Sequence, residues 1–451
     1  MVFFKLVLVG YLENITSDRR LLEHCALRLD LLYFLGYEID EALPWHSTLS
    51  RTRQLYPAAL FEHLFDRVFR LCVQQGLVAG DTQALDSAPV KANASLDSVC
   101  EKQSVHALVP SLTVVDHEPA LAPPAAARFS APAHQLRYEA ARQAKRHQQP
   151  GSVGANHAKA PLLSNKTHYS PTDPEARISI KPGKARALNY RCSMAVDTAQ
   201  GVISHVQADF ADSRDSLHLP GLVQQLQQRL AANELRLRDL IADTGYSNGF
   251  NYALLENSGI TPWIPVFGRY KPEAAGFTYH ALADEYRCQA DKPLPFRKYR
   301  PTADGNWTKH YRAFYQDCQH CAFKATCVPY MDHKQLVRSA FDAAYSRAWH
   351  RQRSRQGQHM RRVRQCTIEP VFGNLLHHYG LRRINVRGQA GAHKSMLLAA
   401  VAYNLKKLLR YQPKQQLGMA VVLPMPPPAP PVRSRYWLRI WRKCTKAPQK
   451  Q

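Results

Sequence analysis

Residues 82–90, 189–197, 201–208 and 237–243 read as short strands, apolar in alternation or in runs, and one helix is spelled between the third and the fourth. That helix, over about 216–232, carries Leu217, Leu219, Leu222, Leu226 and Leu230 at helical spacing. Three strands, a helix and a further strand can bury their apolar faces together only as an α/β core. In such sheets ligand chemistry gathers at strand ends. Asp86 lies near the end of the first run and Asp243 closes the last, just before Thr244-Gly-Tyr246.

The flanks differ from this core. Residues 1–80 read as an all-α module, with Leu21, Leu22, Cys25, Leu29, Leu32 and Tyr33, then Leu60, Leu64, Val68 and Leu71, at helical spacing. The apolar opening over 1–12 contains Lys5, is too short to span a bilayer and has no small-residue cleavage site, so it is expected to be a buried helix. Its abrupt start suggests that a preceding segment is missing. In Pro44-Trp-His-Ser-Thr-Leu-Ser-Arg51, Ser47 or Thr48 is expected to cap the next helix. The core is taken as 81–260, interrupted at 98–165 by a basic linker or insertion rich in Ala, Pro, Gln, His and Lys, with a helix near 135–147. Residues 261–342 hold Pro, Tyr and Cys without helical period, and 343–411 are helical again. The tail over 412–451, Pro-rich and basic, is expected to be disordered or extended.

Charge narrows the partners. The 451 residues hold 60 Lys and Arg against 35 Asp and Glu, a formal net charge of +25. From Ala343 to Gln451 there are 22 basic residues and one acidic, Glu369. Phosphates attract such a surface through counterion release, so the expected partner is nucleic acid rather than a membrane. Arg347, Arg351, Arg353, Arg355, Arg361, Arg362 and Arg364 coat one helical stretch; a solvated basic face is the ordinary explanation, but without acidic partners it repels itself unless phosphates are near. Glu369 is either a counter-ion among these arginines or a ligand for a hard cation. Because Pro370 cannot continue a preceding helix's hydrogen bonding, Glu369 is expected at a helix start or a kink. Ten scattered cysteines argue for reduced thiols and a cytoplasmic setting.

Taken singly, an Asp at a strand end is usually a turn or cap residue. The surrounding motifs are more specific. Leu85-Asp-Ser-Ala-Pro-Val-Lys-Ala-Asn-Ala-Ser95, Ser170-Pro-Thr-Asp-Pro-Glu-Ala-Arg177, Ile241-Ala-Asp-Thr-Gly-Tyr246 and Ile368-Glu-Pro-Val-Phe-Gly373 resemble, in this order, the blocks of DDE transposases of bacterial insertion sequences. The resemblance covers roughly residues 1–410. It implies an RNase H-like mixed sheet flanked by helices, with an all-α N-terminal module and a small cysteine-bearing insertion. It further implies that Asp86, Asp243 and Glu369 are a catalytic triad binding Mg2+ or Mn2+ for DNA cleavage and strand transfer, in a homodimer on DNA. A nuclease without strand transfer and an inactive transposase-derived DNA-binding protein are the rival readings.

Two positions depart from the family pattern. Gln365 and Leu376 stand where many relatives have basic residues; Arg362, Arg364, His377 or His378 are the substitutes at hand. Arg361, Arg362, Arg364, His377, Arg382 and Arg383 are the expected DNA contacts. Cys288, Cys318, Cys321 and Cys327 suit a structural tetrahedral zinc or are four free thiols; relatives with a similar cysteine block favour zinc. Trp263, Tyr270 and Trp307 are candidates to stack on a flipped base, although aromatic residues more often serve a core.

Overall fold

The computed structural model of the chain describes residues 2–102, 164–179, 185–268 and 274–412. Most of the stretch at 98–165, the expected helix near 135–147, Tyr270 and the tail past Gln412 lie outside the described residues.

The N-terminal helices are α1 (Val2–Leu12), α2 (Asp18–Ala26), α3 (Leu29–Leu35), α4 (His46–Leu55) and α5 (Ala58–Gln74). The apolar opening is indeed a packed helix, with Phe3, Leu6, Val7, Val9 and Gly10 buried. The cap expected at Ser47 or Thr48 is not formed. Trp45, directly after Pro44, is the N-cap of α4 and makes no side-chain cap bond, so both hydroxyl residues fall inside the first turn. Pro44 explains the early start, because it holds its predecessor and itself extended right up to the helix.

The central sheet is built from β1 (Thr82–Lys91), β4 (Arg177–Ser179), β5 (Ala187–Asp197), β6 (Ile203–Phe210), β7 (Asp239–Ile241) and β8 (Thr261–Trp263), in the order β4-β5-β1-β7-β8, with β6 also on β5. The pair β2 (Cys100–Glu101) and β3 (His168–Tyr169) stands apart. β1 runs antiparallel to β5 and parallel to β7, and β7 parallel to β8, so the sheet is mixed. Between β6 and β7 lies α6 (Asp215–Ala231), followed after β7 by α7 (Gly249–Asn257).

Residues 1–80 differ from the core in secondary structure but share its apolar interior. Phe61, Phe65 and Phe69 of α5, Leu85 of β1, Met194 of β5 and Met396, Leu397 and Ala400 of the last helix belong to one buried cluster. By contacts, residues Met1–Tyr411 form one compact unit. That last helix, Gln389–Arg410, packs on α1, α5 and β6. Its buried Asn404 mimics a strand neighbour: Nδ2 donates to Ile203 O at 2.8 Å and Oδ1 accepts from Ile203 N at 2.9 Å.

A polar network joins the same layers. Arg229 of α6 donates to Asp66 Oδ1 at 2.5 Å and Glu62 Oε2 at 2.7 Å, both on α5, and to His205 Nδ1 on β6 at 2.6 Å. His205 Nε2 faces Gln207 Oε1 at 3.1 Å. Burial first, and then the Arg229 charge, push the His205 pKa down to about 3, so the ring is neutral, accepting at Nδ1.

Residues 277–339 correct the expectation of an irregular segment with little core. β9 (Phe277–His280), β10 (Glu285–Cys288), β11 (Pro293–Pro301), β12 (Trp307–Arg312) and β13 (Gln335–Ser339) form a five-stranded antiparallel sheet. Its own small core is Tyr286, Leu294, Tyr311 and Ala313. Two short helices, α8 (Tyr315–Gln319) and α9 (Lys324–Cys327), interrupt it before β13.

The chain then forms α10 (Asp342–Arg353), α11 (Arg355–His378) and α12 (Gln389–Arg410). Among the described residues, no helix is long and apolar enough to cross a membrane.

Candidate active site

Parallel pairing of β1 with β7 sets Thr82 opposite Asp239, Gln83 opposite Leu240 and Ala84 opposite Ile241. Continued by two residues, the same register brings Asp86 level with Asp243. Asp86 is thus mid-strand by length, because β1 runs on to Lys91 against β5, yet it stands just past the parallel pairing. Its Oδ1 accepts from Ser87 N at 2.7 Å. Asp243 caps the short turn Thr244–Tyr246, its Oδ1 accepting from Gly245 N at 2.9 Å. A capping carboxylate keeps a fixed direction, so the ordinary turn role and a chemical role are compatible here.

Glu369 arrives from α11, which packs across β1, β5, β7 and β8. Of the two places expected for it, a helix start or a kink, the start is excluded: α11 is one 24-residue helix with Pro370 inside it. Pro370 removes the N–H that would bond Cys366 O, but Cys366 is exposed, so water can satisfy that carbonyl. On the buried side Ile368, Val371, Phe372 and Leu375 anchor the helix to the core. Glu369, 58% exposed, stands on the open side.

Arg364, one turn before Glu369, links the two elements. Its Nη1 donates to Asp86 Oδ2 at 3.1 Å and its Nη2 lies 3.5 Å from Glu369 Oε1. Asp86 and Arg364 are largely buried, with side chains 21% and 15% exposed. Arg364 also lines a cavity of about 360 Å³ with Asp243, Thr244, Trp263, Arg351 and Arg361. Arg364 thus pairs with two of the three carboxylates and shares a cavity wall with the third. Expected to contact DNA, Arg364 here meets carboxylates.

Beneath the turn, Tyr246 is fully buried. Burial, and then the charges of Asp215, Asp86 and Asp243, push its hydroxyl pKa well above the ordinary value. Asp215 lies next to both strand-end segments, bonded to Ser87 Oγ at 2.6 Å and close to Gly245. Sequence reading passed over Asp215, which has no motif of its own; its position as the first residue of a helix following the strands was the available signal.

Three carboxylates are the donor chemistry of a hard divalent cation, and in type they fit Mg2+ or Mn2+. Among the described residues, however, no three His, Cys, Asp or Glu side chains are arranged to hold a metal ion. The same holds for Cys288, Cys318, Cys321 and Cys327. All four line one cavity of about 280 Å³ beside β10, α8 and α9, and none of them is in a disulfide. Burial raises the Cys327 thiol; Lys334 opposes this, and the other three cysteines add to it.

Of the basic residues, Arg361, Arg362, His377, Arg382 and Arg383 are exposed. The basic stretch does have acidic partners: Arg347 and Arg351 both bind Glu256 of α7, at 2.5 and 2.6 Å. Gln365 is exposed and lines the Asp243 cavity, whereas Leu376 packs against the core and is no phosphate contact. Trp263 is engaged too, its Nε1 donating to Asp239 Oδ1 at 2.7 Å. Trp307 lies on β12 of the second sheet. The block at 170–177 serves the scaffold: Asp173 Oδ1 accepts from Tyr190 Oη at 2.7 Å and Gly388 N at 3.2 Å, and Glu175 Oε2 from Gln389 N at 2.6 Å, capping α12.

Two families match. Residues 287–409 match the family described as Transposase DDE domain, and residues 1–55 the one described as Transposase domain (DUF772). The matches indicate a DDE-type insertion-sequence transposase. The DDE match spans Arg364 and Glu369; Asp86 and Asp243 precede it. No curated protein and no solved structure matches the chain.

Proposed function

We propose that this transposase cleaves DNA at the ends of an insertion sequence and joins the freed 3′-hydroxyl to target DNA, using Asp86, Asp243 and Glu369 on an RNase H-like core. The observation that carries this reading is the β1–β7 register, which levels Asp86 with Asp243, together with the Arg364 link from Asp86 to Glu369. Bound Mg2+ or Mn2+ supplies an activated water and a stabiliser for the leaving 3′-oxygen. Asp86 and Asp243 offer oxygens from fixed backbone positions, and Glu369 adds a third from α11. Arg364 holds Asp86 in orientation.

The exposed arginines Arg361, Arg362, Arg382 and Arg383, with His377, hold DNA phosphates, and two ends are held together by a homodimer. A structural zinc among Cys288, Cys318, Cys321 and Cys327 steadies the second sheet, since four thiolates leave no open position for a reacting water. The work is cytoplasmic, on the bacterial nucleoid.

The test is a cleavage and joining assay on labelled element-end DNA with Mg2+ or Mn2+. Cutting and joining by the wild type, both absent in Asp86→Asn and Asp243→Asn, is expected. Cutting without joining favours a nuclease. Binding without cutting favours the inactive DNA-binding reading, toward which the Arg364 ion pairs and the departures at Gln365 and Leu376 point.

A further inference from the structure

Of the two segments that bear the triad's aspartates, one is bonded to a single side chain and the other runs close against it. Ser87 follows Asp86 on β1, so strand alternation turns it to the opposite face. There its Oγ donates to Asp215 Oδ1 at 2.6 Å. Gly245 lies two residues past Asp243. A Cβ on Gly245 would stand 2.8 Å from Asp215 Oδ2 and 3.0 Å from Asp243 Oδ1, so the turn runs close against both carboxylates.

Asp215 is itself held. Arg191 of β5 forms an ion pair with its Oδ1, and the Arg191 Nη2 also reaches Ala211 O at 3.4 Å. As the first residue of the 17-residue α6, Asp215 lies where helix N–H groups favour negative charge. Its charge is thus balanced by Arg191 and the helix end, and its direction is set from three elements.

We propose that Asp215 is a positioning residue for the transposase site: through Ser87 and the Gly245 turn it sets the spacing of Asp86 and Asp243 at which they share divalent cations. The inference rests on the triad reading above. Asp215 acts through its neighbours, as outer partners of metal ligands do, whose loss commonly weakens metal binding by about 10- to 100-fold.

The experiment uses the full chain and Mn2+ alone, with bound ion followed by electron paramagnetic resonance in the absence of DNA. Ser87→Ala removes one hydroxyl without changing charge, and Asp215→Asn removes the charge with little change of shape. Each is expected to raise the Mn2+ concentration for half-saturation by about tenfold, and the double variant no further than the stronger single one, because both cut the same link. Wild-type Mn2+ affinity in both variants, with only the melting temperature lowered, reduces Asp215 to a structural ion pair and overturns the proposal. If Asp215→Asn does not fold, Ser87→Ala decides alone. Asp243→Asn is the control: Mn2+ binding as tight as wild type in that variant overturns the triad reading, and this inference with it.

Discussion

Arg364 donates to Asp86 Oδ2 at 3.1 Å, joining a helix to a strand 278 residues earlier in the chain. The same guanidinium lies 3.5 Å from Glu369. Arg364 is thus engaged with two carboxylates, whereas Arg361 and Arg362, close by on α11, are exposed.

This separates the arginines experimentally. In EDTA, Arg361→Gln or Arg362→Gln should each reduce the slope of log affinity against log salt by about 1, as for the loss of one phosphate contact, while Arg364→Gln leaves it unchanged. The wild-type affinity itself should fall about a hundredfold or more between roughly 50 and 200 mM salt if about six contacts form. Titrations of labelled DNA at several salt concentrations check both.

Acid should loosen the scaffold through His205. Its pKa in the folded chain is pushed down to about 3, against an ordinary value near 6.5, so between these limits the unfolded chain binds the extra proton. Stability is therefore complete above about pH 6.5 and declines on acidification toward about 3, by at most about 1.4 kcal/mol per pH unit from this group. Thermal melts from pH 7.5 to 5 should show the decline, and His205→Gln should flatten part of it. A slope unchanged in His205→Gln contradicts this assignment.

Much of the core was legible because its strands carry apolar residues in alternation, as with Leu188, Tyr190, Cys192, Met194 and Val196 of β5, all buried. The runs expected at 189–197 and 216–232 appear as Ala187–Asp197 and Asp215–Ala231, and β1 and β7, the strands that lead to Asp86 and Asp243, pair side by side. The second sheet was not legible. Most of β11 is exposed, so its side chains carry no buried alternation to read. Tertiary partners were hidden by distance along the chain: Glu256 lies 91 residues before Arg347, and Asp215 lies 128 after Ser87. The course of α11 through Pro370 is likewise set by packing of Ile368, Val371 and Phe372, which outweighs the local proline penalty.

The thiols around the second cavity give a compositional test. Purified reduced protein should carry about one zinc per chain by elemental analysis, and Cys318→Ser with Cys321→Ser should lose it and lower the melting temperature. Less than about half an equivalent in the wild type would leave four free thiols, as in other reduced proteins.

Glu369→Gln bears on the central claim most directly. With Mg2+ present, paired wild-type and variant proteins are compared for cleavage of element-end DNA and for binding to it. If Glu369 completes the triad, cleavage is abolished while DNA affinity is unchanged or slightly higher, since the change removes the one acidic side chain between Ala343 and Gln451. If Glu369 only neutralises Arg364, the variant loses at most about 1 kcal/mol of stability and goes on cutting, and that result contradicts the account.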